Sequence, residues 1–325
     1  MLRVVFAGPF AAAFAPLVRG HLASCDIVVE PDESAVAGRL GDADVPVTLA
    51  FTAGMAADVG PRLKLVQLPA AGLDRVDLTA LPAGVMLAIA YGHDASIAEY
   101  AMGAMLALTR NFLPLDSELR RGLWPGPWMP GRPRRLSPEL AGKTLAILGY
   151  GHIGQALARR ARAFDMRVCA IRRSLSRGTE EGVELLGGLE RLDDLLERAD
   201  YLAIALSLNG ATRGLIGARE LGLMQPEAYL VNIARAEIVN GPALYRALAE
   251  QRLAGAALDV WYRYPQDDTP CLPAEQPFHE LPNVLMTPHV SGGTDGAVRE
   301  RVALVADNIA RLGRGEKPLN LVNGS

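Results

Sequence analysis

From Thr144 the chain reads Thr-Leu-Ala-Ile-Leu-Gly149-Tyr-Gly151-His-Ile-Gly154-Gln-Ala-Leu-Ala158. An apolar run of strand length passes straight into Gly-x-Gly-x-x-Gly, and a helix-forming Ala/Leu/Arg stretch follows. Few folds accommodate that order. Gly149 allows a tight turn after the strand, Gly151 lets backbone come close to a pyrophosphate, and Gly154 lets helix and strand pack closely. The N–H groups and positive dipole end of the helix then face the phosphates. The segment predicts a strand–turn–helix unit that holds a dinucleotide through Gly149, Gly151, His152, Ile153 and Gly154. A glycine-rich turn without a ligand is the bland alternative, and it explains neither the strand before nor the helix after.

Such a unit needs a parallel sheet around it. Short apolar runs alternate with amphipathic stretches along all 325 residues, the pattern of parallel sheets flanked by helices, and the length suits two domains. In the first third, strands are predicted at Leu2–Ala7, Asp26–Val29, Val47–Ala50, Leu65–Leu68 and Met86–Ile89. One long helix is predicted from Ser96 to Arg121, opened by a capping box of Ser96 and Glu99. The Pro/Gly-rich stretch Leu123–Pro133 reads as a loop or arm between two folding units. The second unit opens near Leu140, with further strands at Met166–Ile171, Tyr201–Leu206, Tyr229–Ile233, Gly255–Val260 and Asn283–Thr287. A last helix is predicted over Asp295–Leu312.

Bulk properties narrow the partners. A net charge of −3 lacks the basic footprint of a nucleic-acid or membrane-surface binder. Cys25, Cys169 and Cys271 show no metal-ligand spacing, so no metal site is expected, and they suit a reducing, cytoplasmic setting. Arg3 interrupts the short apolar start, which reads as a first strand rather than a signal peptide. No run approaches the roughly 18 apolar residues needed to span a bilayer.

Four more stretches end predicted strands, where open parallel sheets place their ligands. They are Val231-Asn-Ile-Ala-Arg235-Ala-Glu-Ile-Val239, Ala256-Ala-Leu-Asp259-Val-Trp, Met286-Thr-Pro-His289-Val-Ser-Gly and Leu68-Pro-Ala-Ala-Gly72-Leu-Asp-Arg-Val-Asp77. In this order, with Leu140-Ala-Gly-Lys-Thr before the glycine loop, they make the chain resemble the D-isomer-specific 2-hydroxyacid dehydrogenase family over nearly its whole length. The resemblance implies an α/β fold of two Rossmann-like, doubly wound parallel-sheet domains. The cofactor domain (98–291, with an interface helix and arm) would be inserted into a discontinuous, flavodoxin-like substrate domain (1–97 with 292–325). The active site would lie between them, with hinges near Ser96–Glu99 and Ser291–Thr294.

The resemblance also implies roles. Arg235 holds the substrate carboxylate and polarises the carbonyl, a task suited to a planar, permanently charged guanidinium. His289 is the general acid, since imidazole titrates near working pH. Asp259 accepts from the nicotinamide carboxamide. Ala71 and Gly72 offer backbone N–H groups to the carboxylate. Leu206, Ser207, Thr212, Ile233, Ala234, Ser291 and Gly292 line the cofactor. A homodimer is implied, with helix 97–113 and the Trp124–Trp128 arm as interface parts.

Three departures from the family pattern carry expectations of their own. Tyr264 stands where the family has a glutamate that pairs with the catalytic histidine; a neutral phenol orients imidazole but stabilises imidazolium less than a carboxylate does, so His289 is expected to titrate lower than in glutamate-bearing relatives. Asp267, Asp268 and Glu280 are alternative acidic partners. After the second strand of the cofactor domain, about twenty residues past the glycine loop, Arg172-Arg173-Ser174 replaces the acidic residue that binds ribose hydroxyls. Two arginines and a serine suit a 2′-phosphate, so NADP(H) is favoured over NAD(H). His93 replaces an asparagine before the long helix and either faces the substrate or is a plain loop residue.

The expected activity is hydride transfer between NADP(H) and a small 2-keto acid, giving the D-2-hydroxy acid. A formate dehydrogenase-like activity fits less well, because that branch places glutamine at Tyr264 and asparagine at His93. A phosphite dehydrogenase-like one lacks the lysine that would stand at Ala71. A dinucleotide-sensing, corepressor-like binding module with weak or no turnover is the alternative from another class.

Overall fold

The computed structural model describes residues 1–32, 35–124, 136–173, 181–265 and 267–323. The chain forms two compact units, Met1–His93 with Gly293–Ser325, and Asp94–Gly292.

In the first unit five strands, β1 (Arg3–Ala7), β2 (Asp26–Glu30), β3 (Val45–Thr48), β4 (Leu65–Gln67) and β5 (Met86–Ala88), form a parallel sheet in the order β2-β1-β3-β4-β5. That is the flavodoxin-like winding. Both faces are covered, so β1 is apolar at every position from Val4 to Ala7 rather than alternating. Val4 and Phe6 pack with Phe14 and Val18 of helix α1 (Pro9–Arg19) and with Val305 and Ile309 of the C-terminal helix Asp295–Gly313. Val5 and Ala7 meet Val36 and Leu40 on the opposite face. A short helix, α2 (Ala53–Ala57), is capped by Thr52, whose hydroxyl accepts from the Met55 N–H. The strand expected at Val47–Ala50 lies two residues earlier. Thr48 ends it: its Oγ1 donates to the Ala50 carbonyl at 2.9 Å and accepts the Ala50 N–H, closing a turn there.

The second unit begins with α3 (Asp94–Thr109) and α4 (Phe112–Arg120). The single helix expected over 96–121 is therefore two. Asn111 takes a left-handed φ of 53°, and Pro114 has no N–H to continue the ladder of α3. The capping box does not form either, because the helix starts at Asp94 and buries Ser96 within its first turn. Glu99 pairs instead with Arg160 at 2.9 Å.

Seven parallel strands follow: β6 (Thr144–Leu148), β7 (Arg167–Ile171), β8 (Leu185–Gly187), β9 (Tyr201–Ile204), β10 (Tyr229–Asn232), β11 (Gly255–Leu258) and β12 (Val284–Met286). Their order is β12-β11-β10-β9-β6-β7-β8. The chain winds outward from β6 through β7 to β8, then returns and winds the other way from β9, the Rossmann switch. Edge strand β8 was not foreseen, because Leu185-Leu186 runs straight into Gly187-Gly188, a pair that reads as a turn. Helices α5 (His152–Arg162), α6 (Leu192–Arg198), α7 (Ala218–Leu223) and α8 (Gly241–Ala249) complete the unit. Leu145 and Ile147 of β6 bury toward α3 and α5, while Ala146 and Leu148 bury toward α6 and α8. Helix α3 directs Ile97, Ala101, Met102 and Met105 into this core. Among the described residues no helix is long and apolar enough to cross a membrane.

Candidate active site

The register of the large sheet puts its strand ends on one level. Ile171, Leu148, Ile204, Asn232, Leu258 and Met286 are successive partners across β7, β6, β9, β10, β11 and β12. The next residues along each strand, Arg172, Gly149, Ala205, Ile233, Asp259 and Thr287, therefore open a single edge, the carboxyl edge at which such sheets bind ligands.

At β6 the three glycines differ in kind. Gly149 has φ +114°, and a Cβ there would sit 2.6 Å from the Ala205 carbonyl carbon and the Leu206 nitrogen. A Cβ on Gly154 would strike the Gly149 carbonyl oxygen and lie 3.2 Å from Ile147. These two are required by packing. A Cβ on Gly151 would meet nothing within 4 Å, so the fold itself has no need of glycine there. Gly151 is also the N-cap of α5 and has no side chain with which to satisfy its first N–H groups. An open cradle with uncapped donors fits a pyrophosphate. His152 is exposed in the first turn of α5, and Ile153 is partly buried against the core.

Beside β6, Arg172 and Arg173 follow β7. The Arg172 N–H donates to the Gly187 carbonyl at 2.9 Å, and the Ile171 carbonyl accepts the N–H groups of Gly149 and Tyr150, tying this end to the glycine loop. Ser174 lies outside the described residues. After β9, Leu206 and Ser207 lead into a turn closed by buried Thr212. Its hydroxyl donates to the Ser207 carbonyl and accepts the Asn209 N–H, each at 2.8 Å. The Thr212 side chain thus shapes the loop.

Three adjacent strand ends, β10 to β12, carry the reactive groups. Beyond β10, buried Asn232 staples the turn that presents Arg235, accepting the Ala234 N–H at 3.1 Å and donating to the Arg235 carbonyl at 2.9 Å. Ile233 is buried beneath it, and Arg235 Nη1 donates to the Ala234 carbonyl at 2.8 Å. Beyond β12, His289 holds a left-handed φ of 57°, a conformation uncommon outside glycine. Its Nδ1 lies 2.9 Å from the Tyr264 hydroxyl. The same phenol oxygen accepts the Trp261 N–H at 3.3 Å, and Trp261 Nε1 donates to the Thr287 carbonyl at 2.8 Å. Desolvation pushes the Tyr264 phenol up, partly offset by the Trp261 N–H and the charge of Arg235. Arg235, Tyr264 and His289 therefore share one neighbourhood.

Asp259, beyond β11, has no exposed surface. Its Oδ1 accepts from Thr287 Oγ1 at 2.6 Å and the Val290 N–H at 2.9 Å, and Oδ2 accepts the Ser291 N–H at 2.9 Å. It grips the loop that carries His289. Ser291 is buried, and its carbonyl accepts from Ser96 Oγ at 2.7 Å. Gly292 follows as the last residue of the unit.

In the smaller unit, Ala71 and Gly72 sit in the loop after β4. Ala71 packs beside Leu68 and Phe51, and the Ala70 carbonyl accepts the Ala90 N–H at 3.2 Å. His93 follows β5 and is the last residue of its segment.

Sequence reasoning gave no role to Asn232, Thr287 or Tyr100, and read Ser96 only as a helix cap and hinge residue. A signal existed for the last two. Ser96 and Tyr100 are polar residues four apart in a helix otherwise rich in Ala and Met, hence on one face. Among the described residues no cluster of His, Cys, Asp and Glu could hold a metal ion.

Residues 102–291 match the family model described as D-isomer specific 2-hydroxyacid dehydrogenase, NAD binding domain. The chain belongs to the D-isomer-specific 2-hydroxyacid dehydrogenase family. It is similar to a glyoxylate reductase of Thermococcus gammatolerans, 36% identical over 292 residues that span 88% of this chain and 84% of the relative. It is 35% identical to a D-3-phosphoglycerate dehydrogenase of Methanocaldococcus jannaschii over 88% of this chain and 52% of that protein. Among solved structures, a glyoxylate reductase from Paecilomyes thermophila superposes with a TM-score of 0.83 at 26% identity, covering 99% and 98% of the two chains. This dehydrogenase is thus an oxidoreductase of the NAD(P)-linked hydroxyacid class. The match to the NAD-binding domain contains Arg235, Tyr264, Asp259, His289 and the whole glycine loop.

Proposed function

We propose that this dehydrogenase reduces a small 2-keto acid to the D-2-hydroxy acid, with NADP(H) preferred over NAD(H). The observation that carries the reaction is the hydrogen bond between Tyr264 and His289 Nδ1 in the neighbourhood of Arg235. The cofactor preference is supported by Arg172 and Arg173 at the end of β7, where two guanidinium forks suit a phosphate.

When bound, the nicotinamide supplies the hydride, and the chain's own residues supply the rest. Gly149, Gly151 and Gly154 hold the phosphates with the N-terminus of α5, assisted by His152 and Ile153. Leu206, Ser207, Ile233, Ala234, Ser291 and Gly292 line the dinucleotide along the strand ends. Arg235 binds the substrate carboxylate and stabilises the carbonyl oxygen as charge develops. Ala71, Gly72 and His93 are the substrate-binding residues that this reading assigns within the smaller unit. His289 delivers a proton from Nε2. Tyr264 holds the ring in the tautomer this step needs: its oxygen accepts Nδ1–H both in the imidazolium and in the neutral ring left once Nε2 has given up its proton. A phenol held above its ordinary pKa remains protonated through this exchange. Asp259 keeps the His289 loop in place; a carboxamide contact would draw on the last lone pair of Oδ2.

A homodimer accompanies this reading. Helix α4 has no buried residue, and Phe112, Leu113, Leu115 and Leu119 are exposed on it, followed by Leu123 and Trp124. Large apolar side chains left exposed together on one helix suit an interface. Helix α3, in contrast, turns its apolar side inward.

Steady-state reduction of glyoxylate, hydroxypyruvate, pyruvate and phenylpyruvate with NADPH and NADH tests the proposal. A kcat/KM ratio for NADPH over NADH below one defeats the cofactor preference. Tight dinucleotide binding with no turnover on any keto acid would establish the binding-module reading instead.

A further inference from the structure

Tyr100 Oη and Thr287 Oγ1 are 2.6 Å apart, and Thr287 Oγ1 is 2.6 Å from Asp259 Oδ1. The direction of this line is fixed by chemistry. An ionised carboxylate only accepts, so the single hydroxyl proton of Thr287 goes to Asp259, and Thr287 must accept from Tyr100. Tyr100 is suited to donate permanently: desolvation, with the nearby charge of Asp259, pushes its pKa up to about 12 despite the Thr287 bond. Beyond the carboxylate the line branches to the N–H groups of Val290 and Ser291, the two residues that follow His289. One turn before Tyr100, Ser96 Oγ holds the Ser291 carbonyl at 2.7 Å. Helix α3 therefore grips the loop at two points, four residues apart on one face.

We infer that Thr287 and Tyr100 are positioning residues for proton transfer, fixing through Asp259 the loop that holds His289 in its left-handed conformation against Tyr264. The inference rests on the assignment of His289 as proton donor. The loop has reason to relax without this line, because a histidine at φ 57° persists only where its surroundings over-determine it. Release of Asp259 Oδ1 would free the Val290 N–H first, then the imidazole from its 2.9 Å contact with Tyr264.

The test uses Thr287→Val, Thr287→Ser and Tyr100→Phe in the full chain. Thr287→Val keeps the side-chain shape, removes the hydroxyl, and leaves the half-buried Tyr100 hydroxyl without its Thr287 partner and Asp259 Oδ1 with the Val290 N–H alone. It should lower kcat for keto-acid reduction about 30-fold, with KM for the nicotinamide cofactor within about twofold. Thr287→Ser restores the hydroxyl and should recover kcat to within about threefold of the parent. Tyr100→Phe, one bond further away, should cost about fivefold. In cofactor-free protein, amide hydrogen exchange at Val290 and Ser291 should quicken about tenfold or more in Thr287→Val, and remain near the parent value in Thr287→Ser. Parental kcat and exchange in Thr287→Val would overturn the inference, as would a loss that serine fails to rescue. If the parent protein reduces no keto acid, the proposed function falls by itself, and the exchange measurement still decides whether this line holds the loop.

Discussion

Substituting Gly149 and Gly151 of the glycine loop one at a time separates what the fold requires from what a ligand requires. Gly149→Ala places a methyl 2.6 Å from the backbone of Ala205 and Leu206 at a φ of +114°. The disfavoured backbone costs about 1–3 kcal/mol and displacing the end of β9 a similar amount. A total of about 2–6 kcal/mol lowers the melting temperature of a unit this size by on the order of 10 °C. Gly151→Ala meets no atom within 4 Å, and its φ of −93° and ψ of −154° are ordinary for alanine. It should leave stability unchanged or raise it by about 0.5 kcal/mol, through lost freedom of the unfolded chain. Its methyl would occupy the space reserved for the pyrophosphate, so NADPH affinity should fall about 10- to 100-fold, or about 1.4–2.8 kcal/mol. Far-UV circular-dichroism melts without ligand and a fluorescence titration with NADPH measure the two quantities. The reasoning fails if Gly151→Ala melts as low as Gly149→Ala, or if it binds NADPH as the parent does.

Three further outcomes are expected. Tyr264→Glu puts a carboxylate beside His289, which favours the imidazolium; the pH at which reduction falls off should move up by about one unit, and a profile that stays put or moves down refutes the pairing. Asp259→Asn turns one acceptor oxygen into a donor facing a buried N–H, so kcat/KM should fall about 100-fold for a loss near 3 kcal/mol; parental kinetics and melting together would show the grip to be dispensable. Arg235→Lys keeps the charge but loses the planar fork, and should reduce kcat/KM about 100-fold or more, chiefly by weaker carboxylate binding; equal activity would remove Arg235 from the site.

What was legible beforehand was whatever local rules decide. The glycine loop is a local pattern, and strands buried on both faces leave unbroken apolar runs such as Thr144–Leu148. Right-handed βαβ crossovers narrow the orders those strands can take, but β8 at the edge of the larger sheet left no signal from which to place it. The left-handed φ of Asn111 leaves no periodic trace, but Pro114 three residues on did mark a break, overridden in the reading by the apolar helical pattern around it. The grip of Asp259 on Thr287, Val290 and Ser291 joins residues about thirty positions apart, which no local pattern encodes. Motif matching registers Thr287 only as the neighbour of a histidine, since its partner Tyr100 is 187 residues away.

Because the strands diverge on either side of β6, Arg172 and His289 stand at the ends of strands five places apart in the sheet, about 24 Å at ordinary strand spacing. Groups so distant perturb one another little, so their mutational effects should sum to within about 0.5 kcal/mol. On the proposed assignments, selection or engineering can therefore retune the dinucleotide preference at Arg172 without disturbing the proton donor proposed at His289. Descendants of one such chain are free to exchange coenzymes while keeping their chemistry, or to change chemistry on an inherited coenzyme.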